Sequence, residues 1–147
     1  MMYTFKKSER LGNYHLQSLL FDKGTSFFQY PFRVQYLVLT EGDLASLQKN
    51  QSTRIKSAQF GYPAKVLVSA SRRQLKKAVH RNKAKRLIRE VYRKNKSALY
   101  AFLLENGLYL LIAFIYTANH IKTYEDVDQA MNQAFEKLQT NIMQADR

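Results

Sequence analysis

Between Phe32 and Leu39 the chain alternates: Phe32, Val34 and Tyr36 fall on one side of an extended segment, Arg33 and Gln35 on the other, and Leu37 to Leu39 continue apolar. That period of two predicts a strand facing a core. Ala64 to Ser71 supplies a second such run, with Val66 and Val68 in phase. Gly107 to Thr117 is continuous in aliphatic and aromatic residues, the pattern of a central strand covered on both faces. Thr25 to Phe28 predicts a brief further strand. Elsewhere the period is helical. Asn13 to Phe21 reads as a short helix ended by Gly24, a residue that tolerates the left-handed C′ conformation. Ala84, Leu87, Ile88 and Val91 recur at spacings of three and four, and so do Val127, Ala130, Met131, Ala134, Leu138 and Ile142. These predict two amphipathic helices, the second opened by a capping-box variant in which Thr123 stands three residues before Asp126.

The predicted order is αβββαβα, an α/β (α+β) fold with three helices packed on a small mixed sheet of about four strands. With 147 residues, 46% of them hydrophobic, the chain is expected to bury one core, so residues 1–147 are expected to form a single domain. Thr40 to Ala64 leaves two readings open, since structureless connections that long are uncommon in compact domains. Either Asp43 caps a short helix there or the flanking strands extend into a long hairpin.

Charge changes the picture more than composition does. The 24 Lys and Arg residues against 11 Asp and Glu give a formal charge of +13. Twelve of those bases and one acid, Glu90, lie between Arg72 and Lys96, so +11 of the +13 sits in 25 residues. Neither Gly nor Pro interrupts the chain between Pro63 and Gly107. At about 100° per residue, Asn82, Arg86, Arg89 and Arg93 gather opposite the apolar stripe, with Lys85 and Lys96 flanking them. Cations about 5.4 Å apart along a helix axis repel one another unless an anion screens them. Arginine's planar fork binds phosphate oxygens through two hydrogen bonds where lysine offers a point charge. A polyanionic partner follows; a merely solvated basic face is the alternative.

Other chemistry is missing from the pattern. With no cysteine there is no disulfide, thiolate nucleophile or zinc-thiolate site. His15, His80 and His120 show no metal-ligand spacing. There is no phosphate loop, and five scattered glycines make no dinucleotide fingerprint. Ser69 and Ser71 lack a glycine elbow. Glu125, Asp126 and Asp128 start the last helix, where they complement its dipole. No catalytic side chain and no small-molecule substrate are therefore expected. Met1 to Arg10 lacks a secretion signal, and Leu108 to Ala118 is about half of the roughly 20 residues a spanning helix needs. A cytoplasmic protein without a membrane partner is expected.

The string Arg81-Asn82-Lys83-Ala84-Lys85-Arg86-Leu87-Ile88-Arg89-Glu90 resembles the RNR motif of the bacterial ribonuclease P protein component, which runs Arg-Asn-Arg-x-Lys-Arg-x-x-Arg. Val66 to Val79, with Arg72-Arg73 and Lys76-Lys77-Ala78, is similar to that family's approach to the helix, as are Phe5 to Leu11 and Phe21 to Gly24. Lys83 departs from the usual arginine, leaving an ammonium where a fork would bind, and the Thr40 to Ala64 connection is longer than the family pattern leads one to expect.

The resemblance implies a subunit that joins a catalytic ribonuclease P RNA. The ribonucleoprotein removes the 5′ leader of precursor tRNA by hydrolysis that depends on Mg2+. The RNA performs the cleavage and holds most of the Mg2+. The resemblance also implies a left-handed strand-helix-strand crossover and a leader cleft between the first helix and the sheet. On the motif match, Arg81, Asn82, Lys83, Lys85, Arg86 and Arg89 are expected to contact the RNA, with Arg93 on the same face. Arg72, Arg73, Lys76 and Lys77 are expected to be supporting phosphate ligands. Arg81 projects nearer the apolar face, so an internal pairing stays open for it, and Asn82 also suits a helix start. For the cleft, Phe21 and the facing Phe32, Val34 and Tyr36 are the expected base-stacking residues, although alternating aromatics equally suit a plain core. Lys6, Lys7 and Arg10 are expected to guide the leader backbone. Two rivals use the same basic helix: a DNA regulator reading the major groove and a peripheral protein on anionic lipid. The chain shows no helix-turn-helix partner, and Leu87, Ile88 and Val91 are needed for the core rather than for lipid.

Overall fold

The uninterrupted apolar run after Gly107 becomes β4 (Tyr109–Tyr116), an inner strand of a four-stranded sheet. The computed structural model describes Phe5 and residues 7–49 and 62–145. Strand order is β1 (Thr25–Gln29), β2 (Phe32–Leu39), β4, β3 (Ala64–Ala70). β2 runs antiparallel to both β1 and β4, and β3 is parallel to β4. A parallel pair needs a crossover, here the long helix α3 (Ala78–Glu105). α1 (Tyr14–Lys23) precedes the sheet and α4 (Tyr124–Ala145) follows it.

A further helix, α2 (Glu41–Lys49), occupies the start of the β2–β3 connection, so the short-helix reading holds there; residues 50–61 lie outside the described residues. Asp43 is not itself the cap. Thr40 Oγ1 accepts from the Asp43 N–H at 3.2 Å, and Asp43 Oδ2 accepts from the Thr40 N–H at 2.8 Å, a reciprocal cap.

Strand parity assigns the two faces. Phe32, Val34 and Tyr36 join Leu110, Ile112 and Phe114 in the larger core, beneath α3 and α4. On the opposite face Leu39, Leu111 and Ala113 pack with Leu16 and Leu20 of α1 and Leu44 of α2. A ten-residue helix such as α1 is marginal alone. Burial of its two leucines, at about 1.5–3 kcal/mol each, holds it on the sheet. Asn13 Oδ1 caps it by accepting from the Leu16 N–H at 3.1 Å. Its end corrects the sequence expectation. Gly24 has φ −76°, not a left-handed conformation, and glycine is needed there for space, because a Cβ would stand 2.3 Å from Leu20 O and 2.8 Å from Tyr36 O.

Before α1, a short 3-10 turn (Lys7–Glu9) leads to Leu11, whose N–H donates to Val66 O at 2.8 Å along the β3 edge. This brings Glu9 into the core. Its Oε2 accepts from Lys96 Nζ at 2.5 Å and from the Tyr100 hydroxyl at 2.6 Å, with Glu9 and Lys96 both buried. Lys96 therefore does not flank the cationic face as its sequence position suggested.

Candidate nucleic-acid interface

At 28 residues, α3 is about 42 Å long. Its buried stripe runs Ala84, Ile88, Val91, Tyr92, Lys96, Leu99 and Leu103. The approach to it, residues 71–77, is held at both ends. The Ser71 N–H donates to Tyr116 O at 3.0 Å, the Leu75 N–H donates to Ser71 O at 2.9 Å, and the Leu75 side chain is buried. Lys77 at the helix start supplies no side-chain cap. Instead Arg81 reaches back, its Nη1 donating to Leu75 O and Lys76 O at 2.8 Å each. The internal pairing left open for Arg81 is thus what the structure has. This clamp presents Arg72, Arg73, Lys76 and Lys77 exposed on the loop.

Along the helix Asn82, Lys83 and Arg86 are exposed, and Lys85 and Arg89 are half-buried. Among the described residues none of Lys83, Lys85, Arg86 and Arg89 forms an ion pair with a carboxylate. Burial, and then the neighbouring positive charge of Arg10, pull the Arg89 guanidinium below the ordinary arginine range. Both causes disfavour the charged form, burial by removing water and Arg10 by like-charge repulsion. Arg93 differs. Its Nη2 donates to Glu90 Oε1 at 2.5 Å and its Nε to Glu90 Oε2 at 3.2 Å. These hydrogen bonds hold the Glu90 carboxyl below and the Arg93 guanidinium above their usual ranges. The phosphate contact expected of Arg93 competes with this two-toothed pair.

The expected leader cleft does not assemble from the residues chosen for it. Phe21 on α1 is 47% exposed, whereas Phe32 and Val34 are 0% and Tyr36 9% exposed. Those three lie on the sheet face away from α1, where the Phe32 and Phe114 ring centroids are 5.5 Å apart. They are core. The side of β2 toward α1 carries the exposed Arg33 and the buried Gln35, whose Nε2 donates to Leu20 O at 3.3 Å. The missed signal was Leu39, apolar on the parity of Arg33 and Gln35, which marks β2 as covered on both faces. Lys7 is exposed and Arg10 stands 5.5 Å from the Phe5 ring centroid; Lys6 lies outside the described residues.

The family model described as ribonuclease P matches residues 5–139, which include the whole cationic stretch. The chain belongs to the ribonuclease P protein family. Ribonuclease P protein components from two strains of Porphyromonas gingivalis are each 30% identical to it over 140 residues, covering 95% of this chain and 90% of theirs. The solved ribonuclease P protein of Staphylococcus aureus matches with a TM-score of 0.59 at 20% identity, over 90% of this chain and 96% of that one, and shows the shared fold. As a ribonuclease P protein, the chain is a subunit for tRNA 5′ processing alongside an RNA subunit.

Proposed function

We propose that α3 docks the protein on the catalytic ribonuclease P RNA. Asn82, Lys83, Lys85, Arg86 and Arg89 meet the RNA backbone, and Arg72, Arg73, Lys76 and Lys77 add phosphate contacts from the clamped loop. The carrying observation is the row of α3 cations that no carboxylate among the described residues pairs. Each phosphate neutralised by such a cation releases condensed counterions. The protein thereby lowers the repulsion between the folded RNA and its precursor tRNA substrate. Asn82, with both a donor and an acceptor, suits a ribose hydroxyl or base edge. The 5′ leader of the precursor runs along the α1 side of the sheet, past Phe21 and Arg33.

Mg2+ is assigned mainly to the RNA. Among the described residues no three His, Asp or Glu side chains converge, so this chain's described donors do not fit a metal cage. Among them also, no helix is long and apolar enough to cross a membrane, and the site of action is proposed to be the cytoplasm.

The test is reconstitution. Added to a bacterial ribonuclease P RNA at a Mg2+ concentration too low for the RNA alone, the protein is expected to restore removal of a labelled leader from precursor tRNA, and alone to cut nothing. Cleavage by the isolated protein in chelator, or absence of rescue, overturns the proposal.

A further inference from the structure

Where α3 passes the start of α4, Lys83, Arg86 and Leu87 face Ile121, Lys122 and Tyr124 across an open groove of about 530 Å3. Ligand sites of this kind run from about 300 to 1,000 Å3. Leu87 and Ile121 form an apolar floor continuous with the larger core. The rim is cationic. Lys83 and Arg86 are exposed, Lys122 closes the far side, and Lys94 Nζ stands 5.5 Å from the Tyr124 ring centroid. Two carboxylates temper this. Glu90 lines the groove but is held by Arg93 and stands 4.0 Å from Lys94, and Asp126 pairs with Lys122 at 3.8 Å. The wall opposite α3 is fixed in place: the Tyr116 hydroxyl donates to His120 O at 2.9 Å and accepts from the Lys122 N–H at 2.8 Å. Thr123 Oγ1 then caps α4 by accepting from the Asp126 N–H at 3.2 Å.

A cationic rim over an apolar floor with one aromatic wall asks for a ligand with a negative charge and a flat apolar face. A base-paired helix offers phosphates and ribose hydroxyls but no free base face. An unpaired nucleotide offers both, and aromatic side chains stack on it without demanding a sequence. Building on the proposal that α3 binds the RNA, we infer that this groove seats one unpaired nucleotide of the ribonuclease P RNA. Its phosphate lies against Lys83, Arg86 and Lys122 and its base over Leu87 and Ile121 against Tyr124.

The chain contains no tryptophan, so Tyr124→Trp supplies a single emitter in the groove. Its fluorescence is expected to be quenched by ribonuclease P RNA and by a short oligoadenylate, and to be unmoved by inorganic phosphate. Leu104→Trp, at the far end of α3 and 67% exposed, is expected to show no quenching. Tyr124→Ala and Lys122→Ala are each expected to weaken binding of the RNA, by about tenfold for the ring, with the circular-dichroism melt retained. The double substitution Arg86→Ala with Arg89→Ala separates the two levels. If it weakens RNA binding while the tryptophan in the groove stays unquenched and Lys122→Ala binds as the parent does, the groove inference is overturned and the α3 interface stands. Quenching by inorganic phosphate equal to that by oligoadenylate also overturns it, as a plain anion seat. If the double substitution leaves binding intact, the α3 interface falls and the groove with it.

Discussion

Glu9 and Lys96 carry opposite charges into a space that also holds Tyr92 and Tyr100, and each compensates the desolvation of the other. Removing one partner strands a buried charge, which typically costs about 3–5 kcal/mol. Lys96→Met or Glu9→Gln alone is therefore expected to lower urea-unfolding stability by that order, and the double substitution by less than either. A double variant as unstable as the sum of the singles would mean that the pair does not interact. Residue 96 also shows what a sequence withholds at this scale. Its spacing from Tyr92, Leu99 and Leu103 puts it on the buried stripe, yet a lysine beside eleven other cations reads as solvent-facing. Its carboxylate partner stands 87 positions away, beyond any local pattern. Arg93 and Glu90, three apart, were open to local reading.

At the scale of elements the periods of two and of 3.6 placed each strand, α1 and α4 within a few residues, and marked for α3 the stripe from Ala84 to Val91 of a helix that runs from Ala78 to Glu105. α2 stayed one of two open readings because a helix of nine residues with Leu44 as its buried anchor leaves hardly any stripe; Asp43 was its visible trace, and it acts in a reciprocal cap with Thr40. β2 misled for a different reason. Alternation tells which residues share a face but not which helix covers it, and β2 is buried on both sides, so Phe32, Val34 and Tyr36 were set against the wrong layer. The loop before α3 gives a prediction of its own. Arg81→Ala removes both hydrogen bonds to Leu75 O and Lys76 O. Faster amide exchange across residues 72–77 is expected, with a stability loss of about 1–3 kcal/mol. The loss of RNA affinity is expected to exceed that of Lys83→Ala, because Arg72, Arg73, Lys76 and Lys77 lose their common platform. Equal exchange rates in the two proteins would show that the loop is held without Arg81.

For the molecule as a whole, +11 of the charge of +13 lies between Arg72 and Lys96, so binding to RNA is expected to fall steeply with salt. Arg86→Ala with Arg89→Ala is expected to reduce the slope of log K against log salt by about two units at most, with the fold unchanged by circular dichroism. An unaltered slope would place the interface elsewhere. The element order apart from α2, and the cationic face apart from Arg93 and Lys96, were legible from residue pattern, since each repeats within one segment. The groove between α3 and α4 was not, because it joins residues 83–90 to residues 121–124 through packing. The contact between Glu9 and Lys96 has one more consequence. A ribosome adds residues from the amino end, so every growing chain that has not yet gained its ninety-sixth residue carries a hydrated acid where the finished protein encloses one. Shortening the gene product at its front would leave the Lys96 ammonium enclosed in the core without the carboxylate of Glu9.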